Sequence, residues 1–492
     1  MKQYESFGDC LKRCLTEMDL SASEAARLVG FRSRNSIFRI LSGEASTDIK
    51  LRLLESLHDA LKDKWPEERW RMLQEALLVE RIGPAHYREN RAFARVLFMP
   101  EETVDCTVMK LLADGSTEEY PMTQVLQEIA ASRQAEIVIT GCYDAGLARM
   151  LAEVCGEAGD HGRLKIRHYI DVSGESAIQN ILSLLPLMSR PWYNARLVEP
   201  DACPEEMMAL YRLSALHVDC WDDQGVQHGG MFIRFDKQLF ASRMEARGAC
   251  TAIAVLDKWR FRLELLKPLL KQDGGPEVFV EYTKRYGQLE ENCAIYSIKL
   301  DAHFNCIPAR VLEQAIVEGF AQSGMAAGPE LLDLIIALRQ VHNARFDNMM
   351  NKHRPTHLVY SLPMMERFKR TGVLSDQFFL QRAYTVEERR EIIRVLLDAM
   401  RASPWFNVHF LKSGAPELHY EISCYEGKGV MFTDAYTGYD LATDHSEALI
   451  TLPAFEASFI RYFKEELLPH YVLPRAQVIQ ELERLLVMNV QE

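Results

Sequence analysis

Residues 20–43 contain two short amphipathic segments separated by a glycine, and this spacing constrains the fold more than any other part of the chain. Ser21 is followed three residues later by Glu24, a pattern that predicts a capped helix beginning one residue after the serine. Gly30 stands where the C-terminus of such a helix favours a left-handed residue. Ser33 can then cap a second helix over about 34–41. The pattern therefore predicts two helices joined by a tight turn.

The second predicted helix has an apolar face and a polar face. Ile37, Ile40 and Leu41 recur at the interval that places side chains on a buried side. The residues left on the outside are Arg32, Arg34, Asn35, Ser36 and Arg39. Arg and Asn side chains make paired hydrogen bonds to the edges of guanine and adenine in the major groove of DNA. We therefore predict a DNA-binding surface with base contacts from Arg34, Asn35, Ser36 and Arg39, and with Ser23, Arg32, Ser33 and Lys50 near the phosphate backbone.

Residues 5–62 resemble the helix-turn-helix domain of the Cro and lambda-repressor family. The resemblance rests on Ala26, Gly30, Ile37, Ile40 and the closing Ser42-Gly43 pair. The segment from Gly30 to Ile37 is one residue longer than the commonest form of the turn, as it is in many phage-type members of the family. The resemblance implies sequence-specific binding of double-stranded DNA by a homodimer whose two copies contact two half-sites.

The charge of this segment bears on how strongly it could bind DNA. Residues 1–64 hold eleven Lys and Arg against ten Asp and Glu, which gives about +1 and leaves about −14 for the remainder, since the whole chain is −13. A nearly neutral module neutralises few phosphates, so we expect modest non-specific affinity. The alternative is a helical hairpin that serves as a protein-interaction module, because amphipathic helices joined at glycine are common.

Length and composition predict a soluble protein of several domains. A chain of 492 residues is long enough for two to four domains. No stretch approaches 18 uninterrupted apolar residues and the N-terminus lacks a signal-peptide pattern, so we expect no membrane span and a cytoplasmic location. The eleven cysteines include no Cys-x-x-Cys pair. This scatter favours reduced, buried thiols, and we predict no metal site and no cofactor.

Beyond the N-terminal segment, strands and helices alternate. Strand-like runs at 104–111, 136–140 and 164–170 are separated by helical patterns, as in parallel crossover units. We therefore expect a multi-domain chain, with an all-α helix-turn-helix N-terminal domain followed by a large α/β (α+β) body. The predicted domains are a helix-turn-helix domain at 1–65, a helical connector at 66–100, an α/β domain at 101–275, and a second α/β sensor or dimerisation domain at 276–492.

The carboxyl ends of the predicted strands indicate where a ligand would bind, because ligands of parallel α/β sheets lie beyond those ends. The residues there are Thr140, Gly141, Cys142, Tyr143, Asp144, Asp171, Ser173 and Ser176. We predict that they form the rim of a pocket for a small-molecule or protein effector, where helix N-termini can hold an anion. Ordinary turn chemistry at the strand ends is the alternative.

The second half of the chain has weaker patterns. Residues 251–271 are rich in Leu and predict a long helix interrupted at Pro268. The runs 406–411, 418–424 and 429–433 predict a hairpin sheet, and 475–488 a final helix with an apolar stripe suited to core or a dimer seam. A strand followed by an acidic and aromatic helix over 448–463 resembles the sensor halves of bacterial regulators with phospholipase D-like folds. That enzyme family needs a His with a Lys two positions later, and none of the 14 histidines has one.

No familiar catalytic signature is present in the sequence. It contains no phosphate-binding loop, no Gly-x-Ser-x-Gly elbow, no His-Glu-x-x-His and no dinucleotide fingerprint. The segment 217–228 holds His, Cys and Asp residues, but its spacing fits no metal motif and is typical of a turn between strands. The sequence therefore predicts a non-enzymatic transcription regulator that binds DNA through its N-terminus. The alternative is an α/β enzyme that carries a DNA-targeting module.

Overall fold

The computed structural model describes two compact units, Met1–Arg91 and Ala92–Glu492. Among the residues that it describes, no helix is long and apolar enough to cross a membrane. The described residues are 5–61, 64–98, 107–111, 117–171, 176–188, 190, 192–198, 215–221, 224, 227–234, 263–266, 284–299, 307–322, 329–351, 354–374, 382–415, 418, 420–434 and 447–488.

The described part of the N-terminal unit is helical. Its elements are α1 (Phe7–Glu17), α2 (Ala22–Leu28), α3 (Asn35–Leu41), α4 (Thr47–Leu61) and α5 (Glu67–Ile82), and the boundary with the second unit lies within α6 (Pro84–Phe98). The core is formed by the apolar faces that the periodicity predicts. Phe7, Leu11, Ile37, Ile40 and Leu53 are all 0% exposed, so each of the helices α1, α3 and α4 contributes a fully buried stripe.

Helix α5 belongs to the N-terminal unit, which corrects the predicted boundary at residue 65. Trp65 and Trp70 are buried, with their ring centroids 4.5 Å apart. The ring of His58 on α4 meets Trp70 edge-on at 5.1 Å. Leu73 and Leu77 of α5 join the same core. Two buried tryptophans carry a large apolar area, so α5 is held as part of the bundle and is not a free connector.

The second unit begins with a seven-stranded mixed sheet and its covering helices. Their bounds are β1 (Thr107–Leu111), β2 (Thr117–Pro121), α7 (Met122–Ala131), β3 (Gln134–Thr140), α8 (Ala145–Asp160), β4 (Leu164–Asp171), α9 (Ala177–Ser183), α10 (Leu185–Met188), β5 (Tyr193–Val198), β6 (Ala215–Trp221) and β7 (Gln227–Arg234). The strand order is β2-β1-β7-β6-β3-β4-β5. Strands β3 and β4 are parallel, as predicted, and β5 is parallel to β4. The other neighbours are antiparallel, and they include β1, so the expectation that the strand at 104–111 belongs to the parallel units is wrong.

A second seven-stranded sheet follows along the chain. Its elements are β8 (Leu263–Leu266), β9 (Ile295–Ile298), α11 (Ala309–Gln322), α12 (Pro329–Asn351), β10 (Thr356–Tyr360), α13 (Leu362–Thr371), α14 (Val386–Ala402), β11 (Phe406–Phe410), β12 (Tyr420–Tyr425), β13 (Gly429–Asp434), β14 (Glu447–Ile450), α15 (Pro453–Tyr462), a π-helix (Phe463–Tyr471) and α16 (Arg475–Val487). The order is β8-β14-β13-β12-β9-β10-β11.

The two sheets have the same pattern of strand directions. In each, three parallel strands form one edge (β3, β4, β5 and β9, β10, β11), and the remaining four run antiparallel to their neighbours. Strand β6 therefore corresponds to β12, and β7 to β13. Side chains of both sheets, including Ile137 of β3 and Ile298 of β9, contribute to one continuous core. The body is thus an α+β unit whose two sheets share one pattern of strand directions. Their connections differ at the outer strands, because β1 precedes β3 in the chain whereas β14, at the corresponding place, follows β13.

Some predicted elements of the body are confirmed and others are wrong. The predicted strands at 136–140 and 164–170 are present as β3 and β4. The predicted helix over 251–271 is wrong at Leu263–Leu266, which forms β8 beside β14; the rest of that prediction lies outside the described residues. Strand β11 pairs in parallel with β10 and is not part of a hairpin. The apolar stripe of α16 lies in the core, where Val478, Leu482 and Leu485 are fully buried.

Candidate nucleic-acid interface and candidate ligand site

Helix α2 begins with the capping box that the sequence predicts. The backbone N–H of Glu24 donates to Ser21 Oγ at 3.2 Å, and the backbone N–H of Ser21 donates to the Glu24 carboxylate at 2.9 Å. Two N–H groups that the helix leaves unpaired are satisfied in this way. The hydrogen bond from the Ser21 hydroxyl, together with that from its backbone, lowers the pKa of Glu24 below its ordinary value. The start of α2 is therefore fixed by local sequence.

The turn after α2 is also as predicted. Gly30 has a φ of +71°, in the left-handed region that glycine enters without strain. The backbone N–H of Phe31 donates to the carbonyl of Ala26 at 2.8 Å and closes the helix end. Ser33 Oγ accepts from the backbone N–H of Asn35 at 3.1 Å. The turn thus sets the direction of α3, which begins at Asn35, one residue later than predicted.

Most of the predicted DNA-binding residues lie on the surface of the unit. Ile37 and Ile40 anchor the inner side of α3 with no exposure. The side chains that are exposed are Arg32, Ser33, Arg34, Asn35 and Arg39, together with Ser23 on α2. Ser36 is half-buried and lies at the border of this surface. The structure therefore presents one Asn and several Arg side chains around α3, supported from beneath by the core.

Lys50 is a correction to the predicted surface. Its side chain is 1% exposed and forms an ion pair with Glu80 of α5. A buried ammonium that already has a carboxylate partner cannot reach a phosphate without leaving the core. Lys50 was assigned to the surface because charged residues are mostly exposed. The partner is thirty residues away on α5, and no local pattern reveals it.

The predicted ligand rim is present in part at the end of β3. Thr140 and Cys142 are buried, and Gly141 between them has a φ of +62°. Tyr143 follows and stacks on His168 of β4, with ring centroids 6.0 Å apart and planes 9° apart. These residues form a compact polar and aromatic group where two parallel strands end. Four of the predicted rim residues therefore lie together at the carboxyl end of β3.

The remaining rim residues do not extend this group. Asp144 caps α8, because its carboxylate accepts from the backbone N–H of Leu147 at 2.7 Å. This is the turn chemistry that the sequence offered as the alternative. Ser176 is exposed and precedes α9. Asp171 ends β4 with a side chain that is not described, and Ser173 lies outside the described residues.

His168 and Tyr193 join the rim although sequence reasoning did not select them. Both are 1% exposed, and the two rings meet edge-on with centroids 6.0 Å apart. Burial lowers the pKa of His168 to about 3, an effect only partly offset by a hydrogen bond with the backbone of Cys142. Burial also raises the pKa of the Tyr193 phenol well above its ordinary value. The available signal was a histidine near the end of a strand predicted to belong to a parallel crossover unit.

The second half contains a row of rings across its three parallel strands. Tyr296 of β9 stacks on His357 of β10 at 5.5 Å, and His357 stacks on His409 of β11 at 5.2 Å. His357 Nδ1 and His409 Nε2 are 2.9 Å apart, a hydrogen bond in which one ring donates and the other accepts. The ammonium of Lys464 lies 4.9 Å above the Tyr296 ring. Burial lowers the pKa of both imidazoles, to about 4 for His357 and about 3 for His409, so the row is neutral near pH 7.

In the part of the chain that the structure describes, no three His, Cys, Asp or Glu side chains are grouped so that they could hold a metal ion. Neither a protein-family description nor a curated protein matches the sequence. Among solved structures, the chain is similar to the crystal structure of phosphatidylserine synthase from Haemophilus influenzae Rd KW20. The two share 10% identity with a TM-score of 0.26, over 81% of this chain and 93% of that chain.

This comparison corrects the functional prediction. The chain was predicted to be a transcription regulator without enzymatic activity, and the similar structure is named as a synthase, which is an enzyme. Both parts of the prediction are contradicted. We therefore assign no regulatory role to the body and do not describe the chain as non-enzymatic. A TM-score of 0.26 carries no argument for a particular reaction in this chain.

Proposed function

We propose that the N-terminal unit binds double-stranded DNA through the exposed side of α3. The observation that carries this proposal is the division of α3 into two faces. Ile37 and Ile40 are 0% exposed on one side, whereas Asn35 and Arg39 are exposed on the other. A helix that is packed on one side and polar on the other is held rigidly, and the major groove of B-form DNA admits a helix of this width.

The side chains around α3 have the chemistry that such binding needs. Asn35 can pair with the N6 and N7 edge of adenine, and Arg34 and Arg39 with the O6 and N7 edge of guanine. Arg32 and Ser33 in the turn, and Ser23 on α2, are placed for contacts to phosphate oxygens. All are exposed. Lys50 is left out of the set, because it is buried against Glu80.

Charge favours binding through this side of the unit. The segment 1–64 is about +1 and the remainder about −14. The acidic remainder repels a polyanion, so the N-terminal segment is the part of the chain better suited to contact DNA. A single unit of such low charge neutralises few phosphates. We therefore propose that two copies of the chain bind together and contact two half-sites.

A second proposal concerns a binding site in the body of the chain. We propose that a small molecule or a protein partner binds at the end of β3, against Thr140, Gly141, Cys142 and Tyr143. The buried ring of His168 beside Tyr143 supports this, because it adds two ring nitrogen atoms next to the predicted rim. We also propose that residues 448–463 share their architecture with phospholipase D-like folds. The proposal does not extend to the chemistry of that enzyme family, because the sequence contains no His-x-Lys pair.

The experiment is a selection of random 20-base-pair duplexes by the full-length protein. An enriched sequence with two-fold symmetry supports binding by a dimer. Arg34→Ala with Arg39→Ala should abolish the enrichment. Arg52→Ala with Arg71→Ala is the matched control, because it removes two exposed arginines from α4 and α5 and changes the net charge equally. Failure of the native protein to enrich any duplex overturns the proposal, as does equal enrichment by both double variants.

A further inference from the structure

Phe38 is an aromatic side chain on the exposed side of α3. It is 52% exposed, more than Leu28, Ile49 or Leu51 elsewhere in the same unit. At 100° per residue, Asn35, Phe38 and Arg39 lie within one arc of the helix, opposite Ile37 and Ile40. Around the helix the phenyl ring therefore lies at one end of this arc, next to Asn35. Along the helix axis it lies between Asn35 and Arg39, which the proposed function assigns to bases.

The ring cannot turn inward in this fold. Ile37 and Ile40 occupy the inner side of α3 and are fully buried. Moving Phe38 into the core would expose both of them. The exposed Arg34 and Asn35 precede Phe38 by one helical turn, and the half-buried Leu41 follows one turn later, so the ring lies between polar side chains and the border of the core. An exposed aromatic at such a position loses stabilisation unless a partner covers it.

The charge around Phe38 selects the kind of partner. Helix α3 has no acidic residue, and Arg34 and Arg39 flank the ring at its two ends. A partner that fits must be anionic at its margin and offer a small apolar group between hydrogen-bonding edges. The major groove of DNA offers this at thymine, where the C5-methyl group lies beside acceptor and donor edges and between two phosphate backbones.

We propose that Phe38 contacts the C5-methyl group of thymine, next to the base bound by Asn35 or Arg39. This inference rests on the proposed function and adds one element of specificity to it. It predicts that the DNA bound by this chain contains thymine at a fixed position in each half-site. Removal of one such methyl group should weaken binding about fourfold, which corresponds to roughly 0.8 kcal/mol for one buried methyl.

The test replaces thymine by deoxyuridine, which differs only by that methyl group. The probe is the duplex enriched by the full-length protein, with each thymine replaced in turn. For the native protein, one replacement per half-site should weaken binding about fourfold. For Phe38→Ala, the thymine and deoxyuridine duplexes should bind equally. Leu51→Ala, which truncates an exposed apolar side chain on α4, is the control and should keep the native difference.

Three results would overturn the inference while leaving DNA binding intact. They are a selected sequence without a fixed thymine, no effect of deoxyuridine on the native protein, and an equal effect in the native protein and Phe38→Ala. A change in the oligomeric state of the DNA-free protein caused by Phe38→Ala would also overturn it, because the ring would then contact a second copy of the chain. Absence of any selected duplex, by contrast, is failure of the proposed function itself.

Discussion

The ammonium of Lys50 and the carboxylate of Glu80 form an ion pair that joins α4 to α5. The lysine is 1% exposed, whereas the glutamate side chain is 37% exposed. The pair thus connects a buried charge to one at the surface. It explains both why α5 belongs to the N-terminal unit and why Lys50 is absent from the proposed DNA-binding surface.

We expect Glu80→Gln to lower the free energy of unfolding of the N-terminal unit by about 1–3 kcal/mol, because it leaves a buried ammonium without its charged partner. Lys50→Met should cost less, since it removes the charge and keeps most of the aliphatic volume. Urea denaturation followed by the fluorescence of Trp65 and Trp70 measures both. Lys50→Met should leave DNA affinity unchanged, and a tenfold loss of affinity in that variant would return Lys50 to the interface.

Two glycines of α8 should respond in opposite ways to alanine. A Cβ at Gly159 would lie 2.4 Å from the Trp192 ring, which is held by a hydrogen bond from its Nε1 to Asp160 at 3.0 Å. We expect Gly159→Ala to destabilise the body by about 1–3 kcal/mol through overpacking. Gly156 is the control, because a Cβ there meets nothing within 4 Å. Gly156→Ala should stabilise by up to about 1 kcal/mol. Thermal unfolding measures both, and equal shifts would contradict the packing.

The second sheet contains a buried ion pair between Lys299 and Glu421, whose side chains are 7% and 6% exposed. The Lys299 ammonium also donates to Ser423 Oγ at 3.4 Å. We expect Glu421→Gln to cost about 3–5 kcal/mol, because a buried charge loses its partner. The double variant Lys299→Met with Glu421→Leu should be more stable than Glu421→Gln alone. Chemical denaturation of the native protein, Glu421→Gln and the double variant tests this, and a double variant no more stable than Glu421→Gln would contradict the expectation.

His168 should make the body less stable in acid. Its pKa is about 3 in the folded chain and about 6.5 when unfolded, so between these values the unfolded chain binds a proton that the folded chain does not. The free energy of unfolding therefore falls as pH falls from 6.5 towards 3, by at most about 1.4 kcal/mol per pH unit for this residue. His168→Phe should flatten the slope, whereas His161→Asn, at an exposed site after α8, should not. Unfolding measured from pH 7 to pH 4 gives the slopes, and identical slopes would contradict the assignment.

The parts of the fold that follow from the sequence are local. Ser21 with Glu24, the left-handed Gly30, and the spacing of Ile37 and Ile40 each act within a few residues, so the helices and turn around α3 were predictable. The pattern of strand directions that the two sheets share could not be predicted, because strand order depends on pairings between segments far apart in the chain. The strand at Leu263–Leu266 is an example, since its Leu-rich sequence favours a helix but pairing with β14 makes it a strand.

The candidate sites likewise contain residues that could be predicted from local sequence and residues whose positions depend on distant parts of the chain. The exposed residues of α3 follow from helical periodicity, and Asp144 at a helix start follows from capping rules. The ring contact between Tyr143 and His168 could not be predicted, because it joins neighbouring parallel strands. Likewise, the burial of Lys50 depends on α5, whose packing on the bundle is set by Trp65 and Trp70.

The affinity of the full-length protein for its selected duplex tests the central claim most directly. Fluorescence anisotropy would compare the native protein, Arg34→Ala with Arg39→Ala, and the charge-matched pair Arg52→Ala with Arg71→Ala. Loss of one paired contact to a base costs about 1–3 kcal/mol, so the first variant should bind at least tenfold more weakly while the second stays near the native affinity. Equal affinity of all three proteins would show that the exposed side of α3 does not bind DNA.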